Sequence, residues 1–329
     1  MTKIKTINKL LSIFKKESSF LITGHINPDG DTVGSALALA SWLKKLKKDV
    51  IIVISDPVPD NLQFLPGINL IKNEVPENKH YDTGIMLECP DITRISPIIK
   101  LAAFKKTVNI DHHIESAERK YKTDCELIDS KASSCCEMIF EILQEAKHKI
   151  TSKEAECLYT GILTDTGRFQ YSNTTPKTMS IVSRLLERNI DTIKVFRNIY
   201  ATKSLKSILL LGRILNTLET NSGVSYMKIT NEMFKHTGTT QKDSEEAVNY
   251  AGMVPGTKIY ALFREMDGNK KERVKVSLRS YEKINVFKIA GKYGGGGHFH
   301  ASGFELPGSI QEVTDKIIPV LIAEAQKAE

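Results

Sequence analysis

Apolar positions in the first half of the chain fall into short runs separated by helical stretches. Residues 20–23 predict a strand, followed by a turn rich in Gly and Asp and a helix over about 32–47. Three further strands are predicted at 50–54, 81–87 and 107–110, and helical spacing returns at about 134–146 and 153–163. Strands alternating with helices predict crossover connections and a mainly parallel sheet flanked by helices. In such sheets ligands sit beyond the carboxyl ends of the strands. From 175 to 218 the pattern is helical, with breaks near Asn189 and Ala201. After Asn221-Ser222-Gly223 the texture changes. Strands are predicted at 224–229, 258–264 and 273–278, with Asp267-Gly268-Asn269 as a hairpin turn and helices over 286–292 and 310–325. The expected organisation is an α/β domain over 1–188, a helical linker over 189–220, and a smaller α/β domain over 221–329.

A length of 329 residues fits two domains. Hydrophobic residues make up 41% and charged residues 26%, which excludes disordered, collagen-like and long coiled-coil chains. The net charge of +7 is compatible with anionic partners without naming one, and on charge alone a solvated lysine-rich surface is the preferred explanation. Cys89, Cys125, Cys135, Cys136 and Cys157 form neither a disulfide framework nor a zinc knuckle. They read as reduced, mostly buried thiols of a cytoplasmic protein. No apolar run approaches the roughly 20 residues that span a bilayer, so no membrane partner is expected. The Lys-rich amphipathic residues 1–19 lack the apolar core of a signal peptide.

Chemistry-bearing residues cluster just after the predicted strands. Gly24-His25-Ile26-Asn27-Pro28-Asp29-Gly30-Asp31 packs an imidazole and two carboxylates into one strand-to-helix turn. Oxygen and imidazole donors together suit Mn²⁺ or a similar divalent ion. Helix capping alone would account for one Asp, but less readily for His, Asp and Asp together. Glu88 ends the third strand, Asp111-His112-His113 follows the fourth, and Asp165 lies at the end of a helical stretch in Thr164-Asp165-Thr166-Gly167. Taken singly, Glu88 also reads as a surface-loop acid, and the His pair as a surface pair. A carboxylate at a helix C-terminus opposes the macrodipole, which points to a stabilising cation. Together, His25, Asp29, Asp31, Glu88, His112 and Asp165 are enough for two divalent ions sharing one carboxylate. Such a pair suits displacement at phosphorus.

In the second half, Gly294-Gly295-Gly296-Gly297-His298-Phe299-His300 lets backbone N–H groups approach a phosphate, with His298 adding a directional donor. A flexible loop is the alternative. Arg279 and Ser280 at a strand end can hold a phosphate or carboxylate. Arg264 reads equally as an anion contact and as one half of a salt bridge.

Taken in order, these motifs resemble the DHH/DHHA1 phosphoesterase superfamily over almost the full chain: HxNPDGDxxGS at 25–35, Glu88 with Arg94, Asp111-His112-His113, GIxTDTGxF at 161–169, and GGGGH at 294–298. Within it the chain is most similar to the nanoRNase type, the bifunctional oligoribonucleases and 3′-phosphoadenosine-5′-phosphate (pAp) phosphatases. The resemblance implies a DHH domain joined by a helical linker to a smaller DHHA1 domain, with the active site in the cleft between them. It implies two divalent ions, usually Mn²⁺, with Mg²⁺ or Co²⁺ as substitutes. His25 and Asp29 would hold one ion, and Asp31, His112 and Asp165 the other, with Glu88 in the place of the bridging acid. His113 would face the scissile phosphate and Asp111 would orient the pair, so Asp31, Asp111, His112 and His113 form the expected catalytic set. Arg279, Ser280, Gly295, Gly296 and His298 would bind the terminal nucleotide. Arg264, Gly297 and His300 join them as contacts suggested by their place in these motifs, His300 standing where the family often has Lys or another polar residue. The family usually has Asp where this chain has Glu88, so weaker or altered metal occupancy is expected.

The activity implied is hydrolysis of short single-stranded RNA or DNA, from dinucleotides to about pentanucleotides, to nucleoside 5′-monophosphates, with 3′-dephosphorylation of pAp. The chain lacks the basic, aromatic-rich stretches of an exonuclease that tracks long strands. The alternatives are a cyclic or linear dinucleotide phosphodiesterase, and a non-catalytic nucleotide-binding regulator whose metal centre is weakened by Glu88. A homodimer is expected from the resemblance alone.

Overall fold

The alternation of side chains along the first strand, β1 (Ser19–Thr23), shows how the first sheet is covered. Phe20 and Ile22 join one apolar cluster, whereas Leu21 joins a second with Tyr81, Met86 and Ile95. Successive side chains of a strand point to opposite faces, so both faces of this sheet are buried. This computed structural model describes residues 2–77, 79–90, 94–113, 122–244, 246–266, 272–281 and 283–327. Within it the chain divides into two units, Met1–Thr202 and Lys203–Glu329.

The first unit carries the helices α1 (Lys3–Lys16), α2 (Gly30–Lys45), α3 (Cys135–Glu145), α4 (Ser152–Asp165), α5 (Pro176–Leu186) and α6 (Thr192–Tyr200). Its other strands are β2 (Asp49–Val53), β3 (Ile71–Lys72), β4 (Thr83–Leu87), β5 (Lys106–Asp111) and β6 (Cys125–Ile128). They pair in the order β3-β2-β1-β4-β5-β6, every pair parallel. The sheet is thus parallel throughout its described strands. The chain leaves β1 for β2 on one side and later returns to β4 on the other. That reversal opens a crevice at the carboxyl ends of β1 and β4, the usual ligand position in such sheets. The short edge strands β3 and β6 were not legible in the sequence. With two to four residues each, they carry too little alternation to read.

Asn189 has a left-handed φ of 56°, and Asp191 caps α6. The next helix, α7 (Leu205–Leu215), is capped by Ser204. The division between the units therefore falls between α6 and α7, inside the 189–220 stretch read as a linker.

The second unit holds α7, the helices α8 (Asn231–Thr237), α9 (Val248–Ala251), α10 (Val286–Gly291) and α11 (Ile310–Gln326), and one mixed sheet. Its strands are β7 (Glu219–Asn221), β8 (Val224–Ile229), β9 (Ile259–Glu265), β10 (Arg273–Ser280), β11 (Gly296–His298) and β12 (Ala301–Pro307). They pair in the order β11-β12-β10-β9-β8-β7, with β8 and β9 parallel and the other pairs antiparallel. Val276 and Leu278 pack with Val286, Ile317 and Leu321 of α10 and α11, while Met227 and Leu262 pack with Leu210, Phe234 and Val248 of α7 to α9. The turn expected at Asp267-Gly268-Asn269 lies outside the described residues. No helix among the described residues is long and apolar enough to cross a membrane. None of the five cysteines is joined in a disulfide, and all are buried.

Candidate active site

Beyond β1 the backbone turns through His25 before α2 begins. His25 pairs with Ile95 in an isolated bridge, and the Ile26 N–H donates to the Arg94 carbonyl at 2.8 Å. These contacts hold the turn rigidly. His25 Nδ1 lies 2.7 Å from the Ile26 carbonyl, so it carries the proton and Nε2 presents a lone pair. That nitrogen is 3.6 Å from Asp29 Oδ2 and 3.8 Å from Glu88 Oε2.

Asp29 is the N-cap of α2, its Oδ1 accepting from the amides of Asp31 and Thr32 at 3.0 and 2.9 Å. Capping occupies one oxygen and leaves the other turned toward His25. Burial pushes this carboxyl up, but hydrogen bonds from His25 and the Thr32 amide outweigh it and bring it down to about 2. Asp31 is fully buried and accepts from the first two amides of α3, Cys135 N at 2.5 Å and Cys136 N at 2.8 Å. An anion at a helix N-terminus is favoured by the macrodipole and the unpaired amides there. The approach of α4 to this point requires Gly161: a Cβ there would stand 2.8 Å from Asp31 Oδ1 and 2.3 Å from Cys136 Sγ.

Glu88 follows β4 with a left-handed φ of 55° and is almost wholly buried. Its Oε2 accepts from Thr32 Oγ1 at 2.5 Å, and its Oε1 is 3.2 Å from His112 Nε2. The same His112 nitrogen lies 3.5 Å from Asp165 Oδ2 and 3.8 Å from Asp31 Oδ2. Asp165 is the last residue of α4. Beside them, Asp111 at the end of β5 accepts from the His113 backbone amide at 3.0 Å and from His113 Nδ1 at 2.8 Å. The hydrogen bond to Asp111 raises the His113 imidazole above its ordinary value.

The structure thus brings all six expected ligands together in two sets: His25, Asp29 and Glu88, and Asp31, His112 and Asp165. Each set offers one ligand atom per residue, all within 4.8 Å of one another. Glu88 also groups with His112 and His113. Without a cation this is a costly arrangement. Burial, then the charges of Asp31 and Asp29, push the Glu88 carboxyl well up and hold Asp165 up to about 8. Like charges gathered in a dry site favour protonation or a bound cation. Carboxylate and imidazole donors suit a divalent ion such as Mn²⁺, and so the residues fit the group.

Two parts of this site were not legible in the sequence. Thr32 gave no signal as a donor to Glu88. The Cys135 and Cys136 amides were hidden because those residues read as thiols, although Ser134 and Glu137, spaced as in a capping box, marked a helix start at that point.

In the second unit the glycine run is half loop and half edge strand: Gly294 and Gly295 lead into the strand that Gly296 and Gly297 begin. β11 pairs with β12 through Gly296 with Gly303, Gly297 with Ser302, and His298 with Ala301. A Cβ on Gly295 would stand 2.2 Å from the Gly303 carbonyl, whereas one on Gly296 would meet nothing within 4 Å. Gly297, at φ 138°, is likewise crowded, 2.5 Å from the Ala301 carbonyl. His298 and His300 are exposed. Ser280 is buried, its hydroxyl donating to the Ile284 carbonyl at 2.7 Å and lying 3.1 Å from His300 Nδ1. It stands behind His300 rather than at the surface. Arg279 donates to the Leu278 carbonyl at 3.0 Å. Arg264, half-buried, lies opposite Lys275 on β10.

The N-terminal domain of the DHH family matches residues 19–162, and the DHHA1 domain matches residues 221–327. The chain is 30% identical over 302 residues to the bifunctional oligoribonuclease and PAP phosphatase NrnA of Bacillus subtilis, covering 90% of this chain and 91% of that protein. It is also 30% identical to the protein of the same name from Mycoplasma genitalium, covering 91% and 92%. Among solved structures it is similar to an exopolyphosphatase-related protein from Bacteroides fragilis, with a TM-score of 0.77, 26% identity, and 99% and 98% of the two chains covered.

Proposed function

The chain belongs to the DHH family of phosphoesterases, and from that premise we propose that it hydrolyses short oligonucleotides to nucleoside 5′-monophosphates and removes the 3′-phosphate of pAp. The observation that carries the reading is the shared position of Glu88. One of its oxygens faces His25 and the other faces His112, linking the two ligand sets through a single carboxylate. This also counts against the reading of a non-catalytic regulator with a spoiled metal centre, since the longer acid still reaches both sets.

In this proposal His25 and Asp29 would hold one divalent ion, Asp31, His112 and Asp165 would hold the other, and Glu88 would be shared between them, with Mn²⁺ the ion of choice. When bound, such a pair supplies an ionised water at neutral pH and neutralises charge on the phosphoryl oxygens. The protein's own groups supply the rest. The Cys135 and Cys136 amides fix Asp31, so its carboxylate needs no reorganisation during the reaction. Asp111 engages His113 Nδ1 and leaves Nε2 as the remaining donor for a phosphoryl or leaving oxygen. In the second unit, His298, His300, Arg279 and the backbone of Gly295 to Gly297 are the proposed contacts for the terminal nucleotide. Arg264 adds positive charge to that set, and Ser280 positions His300. The 1–188 and 221–329 domain limits, with 189–220 between them, are part of this reading. So are a homodimer, which rests on the resemblance, and a cytoplasmic setting, which suits five cysteines outside any disulfide.

The test is release of mononucleotide from an end-labelled dinucleotide with Mn²⁺, alongside pAp, a cyclic dinucleotide, long single strands and pyrophosphate. Turnover of dinucleotide and pAp is expected, with long strands resistant. Preference for the cyclic dinucleotide, long strands or pyrophosphate would overturn the substrate assignment. No turnover of any of them would overturn the enzymatic one.

A further inference from the structure

Glu88 is one methylene longer than an Asp would be at its position, yet its two oxygens reach both ligand sets. Three features of this chain make room for the extra length. The left-handed φ of 55° at Glu88 redirects the backbone just beyond β4. Outside Gly, Asn and Asp that conformation is uncommon and unfavourable, so the surroundings must hold it. The Thr32 hydroxyl, itself fully buried, donates to Glu88 Oε2 at 2.5 Å. Thr32 is in turn seated by a glycine: a Cβ on Gly24 would lie 2.1 Å from Thr32 Cγ2 and 3.7 Å from the Leu87 carbonyl.

The hydroxyl does more than satisfy a buried acid. It engages Oε2, the oxygen facing His25, and leaves Oε1 for His112. A glutamate side chain has one more rotatable bond than an aspartate, so an untethered Glu88 could turn both oxygens toward one ligand set. A fixed hydrogen bond to one oxygen removes that freedom. The amides of α3 hold Asp31 and those of α2 hold Asp29, whereas the Glu88 side chain has the Thr32 hydroxyl and the His112 ring as its hydrogen-bond partners, with the Asp31 carboxyl as a further close polar neighbour.

We propose that Thr32 is a positioning residue that splits the Glu88 carboxylate between the two metal positions, so that Gly24, Thr32 and Glu88 form one interdependent unit that lets a glutamate do the work of a shorter bridging acid. This rests on the metal assignment proposed above. Groups that orient a metal ligand typically carry a 10- to 100-fold effect on metal affinity. Loss of the Thr32 hydroxyl weakens the second Mn²⁺ equivalent by that factor and uncouples the two ions, while the first equivalent changes little.

The experiment is Mn²⁺ titration of the full chain, followed by calorimetry and by the electron paramagnetic resonance signature of a spin-coupled Mn²⁺ pair. Thr32→Val keeps the shape of the side chain and removes the donor; Thr32→Ser keeps the donor. The expected result is two coupled ions in wild type and in Thr32→Ser, and loss of the coupled signal with a 10- to 100-fold weaker second equivalent in Thr32→Val. In the Glu88→Asp background, where the shorter acid no longer needs the tether, Thr32→Val should change the second equivalent less than threefold. That double variant also keeps the test decisive if Thr32→Val alone folds poorly. Two coupled ions of wild-type affinity in Thr32→Val would overturn the role of Thr32, as would an equal loss in both backgrounds. Wild type that binds no ion pair would instead overturn the metal assignment itself.

Discussion

The cluster around Glu88 in the first unit and the β11–β12 edge in the second are both built from residues that carry chemistry, but they are held in opposite ways. In the first, the side chains are the proposed reactive groups; His25, Asp31, Glu88 and Asp111 are buried, His112, His113 and Asp165 half-buried, and the set is tied to backbone amides or to one another. In the second, the glycines contribute backbone, and His298 and His300 stand exposed on a tight turn. A constellation tied in this way is fixed before any ligand arrives, which suits charge stabilisation. An exposed edge of N–H groups and imidazoles is suited to recognising a phosphate that comes and goes. Substitutions in the two regions should therefore fail differently, the first in turnover and the second in binding or local folding.

The sharpest break is expected in the first region. Asp31→Asn keeps the shape of the side chain but removes a charge that two amides and a proposed metal position share. Turnover of a dinucleotide should fall by at least about 10³-fold, with His112→Ala falling as far. The circular dichroism spectrum should stay that of wild type. Near-normal rates in either variant would show that the buried cluster is not the reactive one.

Within the second region, neighbouring glycines separate structure from recognition. Gly295→Ala forces a Cβ against the Gly303 carbonyl and should cost about 1–3 kcal/mol in urea unfolding, as overpacking does. Gly296→Ala meets nothing and should stay within about 0.5 kcal/mol of wild type. If the edge receives phosphate, Gly296→Ala still raises KM for a dinucleotide severalfold at unchanged stability. Equal unfolding energies for the two variants would contradict the pairing of β11 with β12.

Much of the first region was legible because its ligands sit at predictable places. His25, Glu88 and Asp111-His112-His113 each follow an apolar run, and in a parallel sheet such positions converge. Asp165 was legible through its conflict with the helix dipole. What holds those ligands was not legible. The Thr32 hydroxyl and the α3 amides act through contacts between distant segments, and a hydrogen bond from residue 135 to residue 31 leaves no mark in local pattern. The second region was legible in composition but not in form. Four glycines in a row look like a loop, because a strand is ordinarily recognised by side chains that glycine lacks. Ser280 was read as a surface donor, yet alternation along β10 turns it inward, where the Ile284 carbonyl engages its hydroxyl.

The central claim is that six side chains, just beyond the carboxyl ends of β1, β4 and β5, at the start of α2 and at the end of α4, hold a pair of divalent ions with Glu88 between them. Anomalous diffraction at the manganese edge from crystals grown with Mn²⁺ tests it most directly. The account predicts two peaks, one beside His25 and Asp29 and one among Asp31, His112 and Asp165, with one Glu88 oxygen on each. A single peak, or two peaks with Glu88 turned away from either, would contradict it.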